Sequence, residues 1–264
     1  MPARPRRLSI LLTNDDGILS PGLLALRARL MEIAEVTVVA PDTQRSAVSH
    51  AVTIGSALYS EEVVHRGERI GTSVTGYPAD CVKYALTEVM AGRPDLVVSG
   101  INLGPNVGVS VFYSGTVAAA MEGAFFGIPS IALSTDVNGD DTDCLPLAEM
   151  ARSIIGRLQG MAATCPNLVL NVNFPALPPR AFKGLRITRQ GTANFQDRFE
   201  RRDDGKGRSG LWLVGELGTH DDDSLDIDVN ALRAGYISVT PLKQDLTHHE
   251  LLAQFRSLPP VTGK

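Results

Sequence analysis

Short apolar runs alternate with helix-length segments over the first 175 residues, and that alternation leaves the chain few architectures to choose from. Residues 8–13, 36–40, 96–99, 130–134 and 168–173 are strand-length stretches of nearly continuous hydrophobicity. A strand needs that pattern when helices cover both faces of its sheet. Between the first two runs, Pro21 opens a segment with Leu23, Leu24, Leu26, Leu30 and Ile33 at helical spacing. Proline suits a first helical position, where an N–H would have no intrahelical partner anyway. Residues 78–90 read as a second helix with Val82, Ala85, Leu86 and Val89 on one face, and 116–126 and 145–158 supply two more. The pattern predicts an α/β fold: a Rossmann-like, doubly wound, mostly parallel sheet with right-handed crossovers.

After residue 175 the texture changes. Pro175, Pro178 and Pro179 punctuate the chain, 183–189 read as a further strand, and 190–210 are rich in charge and glycine. Residues 211–215 and 236–241 look like strands. The aspartates at 221, 222, 223, 226 and 228 are expected to form a solvated turn leading into a short helix over 229–234. This tail is too poor in apolar residues to bury a core alone. The expected organisation is a core over 1–185 and an extension over 186–264. The extension carries a hairpin and completes the same domain by packing on it or on another subunit.

Composition narrows the partners. The net charge is −4 over 264 residues, so no global basic field favours nucleic acid polymers or anionic membranes. Arg4, Arg6 and Arg7 form a short basic arm, but the apolar run 8–12 is too short for a signal peptide or a membrane span. Cys81, Cys144 and Cys165 are odd in number and lack metal-type spacing, which argues against a disulfide framework and for a cytoplasmic protein whose cysteines are small buried hydrophobes.

In a doubly wound sheet the carboxyl ends of the parallel strands share one edge, where ligands bind. Three polar loops should converge there: Asn14-Asp15-Asp16-Gly17, residues 41–50, and residues 100–116. Asp15 and Asp16 are costly at the end of a buried strand unless something cationic neutralises them. Their hard oxygens suit a divalent cation, to which Ser46 and Asn102 can add neutral oxygens. Ser114-Gly115-Thr116 precedes a helix, whose free N–H groups and positive dipole end favour a phosphate. Taken singly, each motif has a plainer reading: a capped turn, an N-cap, or asparagines that tolerate left-handed backbone. Their joint placement is what points to phosphoryl chemistry. His50 reads as a structural hydrogen-bonder. Residues 136–141 begin like a calcium loop but lack its glycine and its final glutamate, and no Walker A or Gly-x-Gly-x-x-Gly sequence follows any strand.

The chain closely resembles the SurE (survival protein E) family of metal-dependent 5′/3′-nucleotidases. The matching stretches are ILLTNDDG at 10–17, VVAPDTQRSAVSHAVT at 38–53, TGYPADCVKYAL at 75–86, PDLVVSGINLGPNVG and YSGTVAAAMEGAFFGIPSIALS within 94–134, LNVNFP at 170–175 and AGYISVTPL at 234–242. Carried over residue by residue, the resemblance implies metal ligation by Asp15, Asp16, Ser46 and Asn102. It implies phosphate binding by Ser114, Gly115 and Thr116, with Asn106 close to the substrate. Many relatives carry an acidic residue where this sequence has Ser110. The implied activity is hydrolysis of nucleoside 5′-monophosphates, extending to 3′-monophosphates or short polyphosphate, with one divalent cation: Mg²⁺ or Mn²⁺ first, then Co²⁺, Ni²⁺ or Ca²⁺. The C-terminal hairpin would be exchanged between subunits of a homodimer or homotetramer. Two other readings stay open: a non-catalytic nucleotide-binding stress protein, and a phosphatase with Asp15 as covalent nucleophile, against which the adjacent rather than Asp-x-Asp spacing speaks. Nucleobase preference, 5′ against 3′ selectivity and the physiological metal are not legible in residue types.

Overall fold

The first apolar run forms β1 (Leu8–Thr13), whose last four residues are buried. The chain then turns into α1 (Pro21–Leu30). The Ser20 side chain caps this helix at the Leu23 amide, and Pro21 takes the first helical position. β2 (Ala34–Pro41) returns parallel to β1. A hairpin follows, β3 (Ser60–His65) and β4 (Glu68–Val74). Its two-residue turn, Arg66 and Gly67, has φ of 52° and 81°, the left-handed pair that a tight hairpin favours. α2 (Pro78–Tyr84) runs on into a wider turn over Ala85–Val89. There the Thr87 hydroxyl donates to the Lys83 carbonyl at 3.0 Å, a side-chain bond that competes with regular helix. β5 (Leu96–Leu103), α3 (Gly115–Phe125), β6 (Ser130–Thr135), α4 (Leu145–Ala162) and β7 (Val169–Phe174) complete the alternating part. The extension supplies β8 (Leu185–Ile187), β9 (Phe195–Asp203), β10 (Ser209–Leu217), α5 (Asp228–Arg233), β11 (Ile237–Leu242) and α6 (His249–Arg256). This computed structural model describes residues 6–137, 142–162, 165, 167–193, 195–203, 205, 207–218 and 222–258.

The main sheet has nine strands in the order β3-β4-β2-β1-β5-β6-β7-β11-β8. From β4 to β7 every pair is parallel, while β11 runs antiparallel to β7 and parallel to β8. The expected mostly parallel α/β sheet is therefore present, and the C-terminal hairpin is the separate antiparallel pair β9–β10. Successive β1 side chains point to opposite layers. Ile10 and Leu12 join Leu23, Leu26 and Leu30 of α1 and Leu147, Ala151 and Ile155 of α4, whereas Leu11 meets Cys81, Val82 and Ala119 of α2 and α3. The chain winds away from β1 in one direction through β2 and β4, then in the other through β5, β6 and β7. Strand order thus reverses between β1 and β5, and a crevice opens at their carboxyl ends.

Several expectations need correction. Residues 60–74 hold a hairpin that the hydrophobic pattern does not announce, because β3 is a mostly exposed, glutamate-bearing edge strand. Part of the charged stretch 190–210 forms β9, paired with β10 from Phe195↔Leu217 to Asp203↔Ser209, which is the hairpin expected in the extension. β11 carries buried Ile237 and Val239 into the principal core, so the tail is stitched into the main sheet. Asp228 is fully buried, unlike the solvated aspartates it was grouped with; Asp221 and residues 138–141 of the calcium-like loop lie outside the described residues. Cys81 and Cys144 are buried as expected, but Cys165 is exposed.

Candidate active site at the carboxyl edge of the sheet

Asp15 and Asp16 follow β1 directly. Asp15 is buried and Asp16 half-buried. The Thr116 hydroxyl, in the first turn of α3, donates to Asp15 Oδ1 at 2.5 Å. Burial pushes the Asp15 carboxyl up to about 7, against the pull of the Thr116 hydroxyl and with the neighbouring Asp16 charge adding to the rise. Burial also raises Asp16, opposed by the Leu103 amide and the Gln44 side chain, which reach its two oxygens at only 3.4 and 3.3 Å. Asp16 borders a cavity of about 650 Å³ whose wall includes Asp42, Gln44, Glu61, Ser73 and Leu103.

The second loop is drawn onto the first by backbone: the Arg45 amide donates to the Asp15 carbonyl at 2.7 Å. Ser46 follows on an exposed stretch of that loop. The loop is tied to the third by the Ser49 amide, 3.0 Å from the Tyr113 carbonyl, and by the Ser49 hydroxyl on the Phe112 carbonyl. His50 is held structurally, with Nε2 2.8 Å from Glu122 Oε2 and its ring stacked on Phe125 at 5.3 Å. The other Glu122 oxygen accepts from Lys83 Nζ at 2.6 Å. Burial alone would raise the Glu122 carboxyl, but the bonds from His50 and Lys83 outweigh it and hold it below its ordinary 4.5. A depressed carboxylate stabilises the fold above the unfolded value and loses that contribution as the pH falls through the folded one. Glu122→Gln is therefore expected to cost roughly 1–3 kcal/mol at pH 7. The gap should close in urea titrations run progressively below pH 4.5.

The third loop leaves β5 at Asn102, whose Nδ2 donates to the Gly104 carbonyl at 2.7 Å, leaving Oδ1 as the acceptor end. Asn106 is clamped by the next two strands. Its amide donates to Asn173 Oδ1 (2.8 Å), its Nδ2 donates to Ser134 Oγ (2.8 Å), and its carbonyl accepts from Asn171 and Asn173. One of its two carboxamide hydrogens is thus committed to the sheet. Ser110 is buried with its hydroxyl on the Val107 carbonyl at 2.5 Å. Ser114 caps α3, accepting from the Val117 amide at 3.0 Å. The Ser114 and Thr116 hydroxyls are thus not both spare donors: Thr116 is spent on Asp15. Gly115 lets helix and strand end meet, since a Cβ there would stand 2.9 Å from Asp15 Cβ and 3.1 Å from its Oδ2. Sequence reasoning missed Gln44, the Leu103 amide and the asparagine pair 171 and 173. Only the last left a signal, as two polar residues inside a buried strand.

The donor set fits a hard cation. Two adjacent carboxylates, the Asn102 oxygen and the Ser46 hydroxyl are all oxygen ligands. Among the described residues neither Asp15 nor Asp16 makes an ion pair, and no three His, Cys, Asp or Glu side chains converge on one point. A cation here would rely on that pair and neutral oxygens. Thr13 Oγ1, Asn14 Oδ1 and Ser99 Oγ are buried without a hydrogen-bond partner, with Thr13 and Ser99 opposite each other in the β1–β5 pair just behind the two aspartates.

Fold and site together define a doubly wound α/β protein whose switch-point edge sets two carboxylates against the mouth of an anion-receptive helix. A family model described as survival protein SurE matches residues 10–197. The chain is 45% identical over 245 residues to the 5′-nucleotidase SurE of Syntrophobacter fumaroxidans, spanning 93% of this chain and 97% of that protein. It is 44% identical over 250 residues to the 5′-nucleotidase SurE of Heliobacterium modesticaldum, spanning 94% and 90%. The crystal structure of the SurE protein from Aquifex aeolicus matches with a TM-score of 0.79 at 37% identity, covering 94% of this chain and 98% of that one. The chain belongs to the SurE family. Among its described residues no helix is long and apolar enough to cross a membrane.

Proposed function

We propose that the chain is a nucleotidase that hydrolyses nucleoside 5′-monophosphates to nucleoside and phosphate, and that it needs a divalent cation to do so. The observation that carries this reading is a buried carboxylate, Asp15, with no cationic partner among the described residues, hydrogen-bonded by the first turn of a helix whose mouth can receive an anion. The printed names of the relatives point to the same substrate class. Asp15, Asp16, Asn102 and Ser46 would hold the cation; Mg²⁺ or Mn²⁺ suits these ligands first, then Co²⁺, Ni²⁺ or Ca²⁺. Bound there, it would offset phosphate charge and acidify a water. The Gly115 amide and the Ser114 hydroxyl hydrogen face an incoming phosphate, and the second Asn106 carboxamide hydrogen adds a donor. Thr116 fixes the orientation of Asp15. Asp16, held by two long bonds only, keeps lone pairs to take the proton that the attacking water loses. A covalent role for Asp15 is the weaker reading, since Oδ1 is already engaged by Thr116.

The expected result is phosphate release from AMP or GMP that EDTA abolishes and one of Mg²⁺, Mn²⁺, Co²⁺ or Ni²⁺ restores. Binding without release under every metal would favour the non-catalytic alternative. The hairpin bears on assembly. Phe199, Leu211 and Leu213 share one face of β9–β10 and are 67%, 60% and 60% exposed, on a two-stranded ribbon that is marginal by itself. We read residues 186–264 as an extension that completes the 1–185 core and lends this ribbon to a second copy. Sedimentation should then give a homodimer or homotetramer, and a Leu211→Glu/Leu213→Glu variant should sediment as a smaller species.

A further inference from the structure

Asp228 has no part in the chemistry above, yet it is a fully buried carboxylate with three backbone amides donating to it. The Gly108 amide reaches Oδ2 at 2.9 Å; those of Gly191 and Val229 reach Oδ1 at 2.9 and 2.8 Å. Its own amide donates to the Arg189 carbonyl at 3.1 Å. Arg189 and Gly191 precede the β9–β10 hairpin and Asp228 follows it, so this carboxylate closes the two stems of the hairpin on each other. Its other oxygen reaches into the third site loop, two residues beyond Asn106. The same stretch is fastened twice more, by Gln190 Nε2 on the Gly108 carbonyl at 2.8 Å and by the Val109 amide on the Ala193 carbonyl at 3.0 Å. Gly108 has a φ of +57°, and a Cβ there would stand 2.4 Å from the Ala193 oxygen, so the approach is as close as a backbone allows. Val107, Ala193, Val229 and Leu232 form an apolar layer around the junction. Charge-assisted bonds in so dry a place are strong and directional.

We propose that Asp228 is a positioning residue for the reaction: it holds the loop from Gly104 to Ser114 in the arrangement that receives substrate, without touching the substrate. The proposal rests on the reading of this edge as a nucleotidase site. It makes substrate affinity depend on a residue of the C-terminal extension, well away in sequence from every candidate ligand. Asparagine is the informative substitution. Its single oxygen can keep the two amides of the extension, Gly191 and Val229, but its NH₂ group then faces the Gly108 amide, donor against donor. Asp228→Asn should therefore release the loop while leaving the hairpin base closed.

The test compares wild type, Asp228→Asn, Asp228→Ala and Val239→Ala, the last a core change in β11 that loosens the extension elsewhere. KM and kcat for AMP are measured together with amide hydrogen exchange across 104–110. Asp228→Asn is expected to raise KM about tenfold with kcat changed less than about twofold, and to speed exchange in 104–110. Asp228→Ala should do both and also lower the melting temperature. Val239→Ala should lower the melting temperature and leave KM and loop exchange as in wild type. Wild-type KM and loop exchange in Asp228→Asn would overturn the proposal, as would an equal rise of KM in Val239→Ala. Absence of phosphate release by the wild type would instead overturn the nucleotidase reading. The exchange measurement would still decide whether Asp228 holds the loop.

Discussion

Asp15→Asn is expected to reduce phosphate release from AMP by about a thousandfold or more at saturating metal, and Asp16→Asn by a comparable factor. The two variants should part company in stability. Asp15 is buried, and its carboxyl is driven up to about 7 chiefly by loss of solvent, so at pH 8 without metal the fold carries an unfavourable charge there. An isosteric amide removes that charge and can still accept from the Thr116 hydroxyl through its oxygen. In EDTA at pH 8, Asp15→Asn should melt a few degrees above wild type, a gain of roughly 1–3 kcal/mol. Asp16 is half-buried and weakly held, so Asp16→Asn should change the melting point little. Scanning calorimetry with and without metal, beside an assay of phosphate release, checks both halves. Near-normal activity in either variant would remove the pair from the chemistry. A loss of stability in Asp15→Asn would show that some unrecognised cation already balances the charge.

The second large effect concerns a residue with no side chain. Gly115→Ala puts a methyl carbon 2.9 Å from Asp15 Cβ and 3.1 Å from Asp15 Oδ2 and Pro78 Cγ. Alanine is the better helix former, so the helix itself gains from the change. The clash falls between the mouth of α3, the end of β1 and Pro78 at the start of α2. Something must give by a few tenths of an ångström, and the Thr116–Asp15 bond lies on that line. A misplacement of about 1 Å at a reacting centre costs about a hundredfold in rate, and a shift of a few tenths of that a smaller factor. We expect kcat/KM for AMP to fall about tenfold while the melting temperature drops by only a few degrees. A variant with unchanged kinetics would mean that phosphate does not approach through this gap.

Local information made the core of this protein legible. The apolar run of β1, the proline at the start of α1 and the Asn-Asp-Asp-Gly turn between them each declare themselves within a few residues. The alternation of such units dictates a parallel sheet, and the sheet dictates which loops meet. The candidate residues 15, 16, 102 and 114–116 could be assembled from that logic because doubly wound topology fixes the edge before any contact is known. What escaped was non-local. β3 lies at the sheet's edge with solvent on one side, so Ser60, Glu61 and Glu62 look like loop. β9 pairs only with β10 and keeps charge on both faces, which erases the period that identifies a strand. Asp228 could not be told from Asp222, Asp223 and Asp226, because what distinguishes it is the Gly108 amide, 120 residues earlier. The hydroxyl of Thr116 had two possible uses, as a substrate donor or as a brace for Asp15, and only three-dimensional placement chooses between them.

The place of β11 has a bearing on how the protein is made. Residues 237–242 sit between β7 and β8, and all of the parallel sheet is synthesised before them. While the nascent chain is shorter than this, β7 presents a buried-type strand, Val169–Phe174, with one edge unpaired. Such an edge pairs readily with any other extended chain, including another unfinished copy on the same messenger. Residues 237–242 are therefore also what covers the open edge of β7, and a ribosome that stalls before them would leave behind a folded α/β layer with an adhesive side.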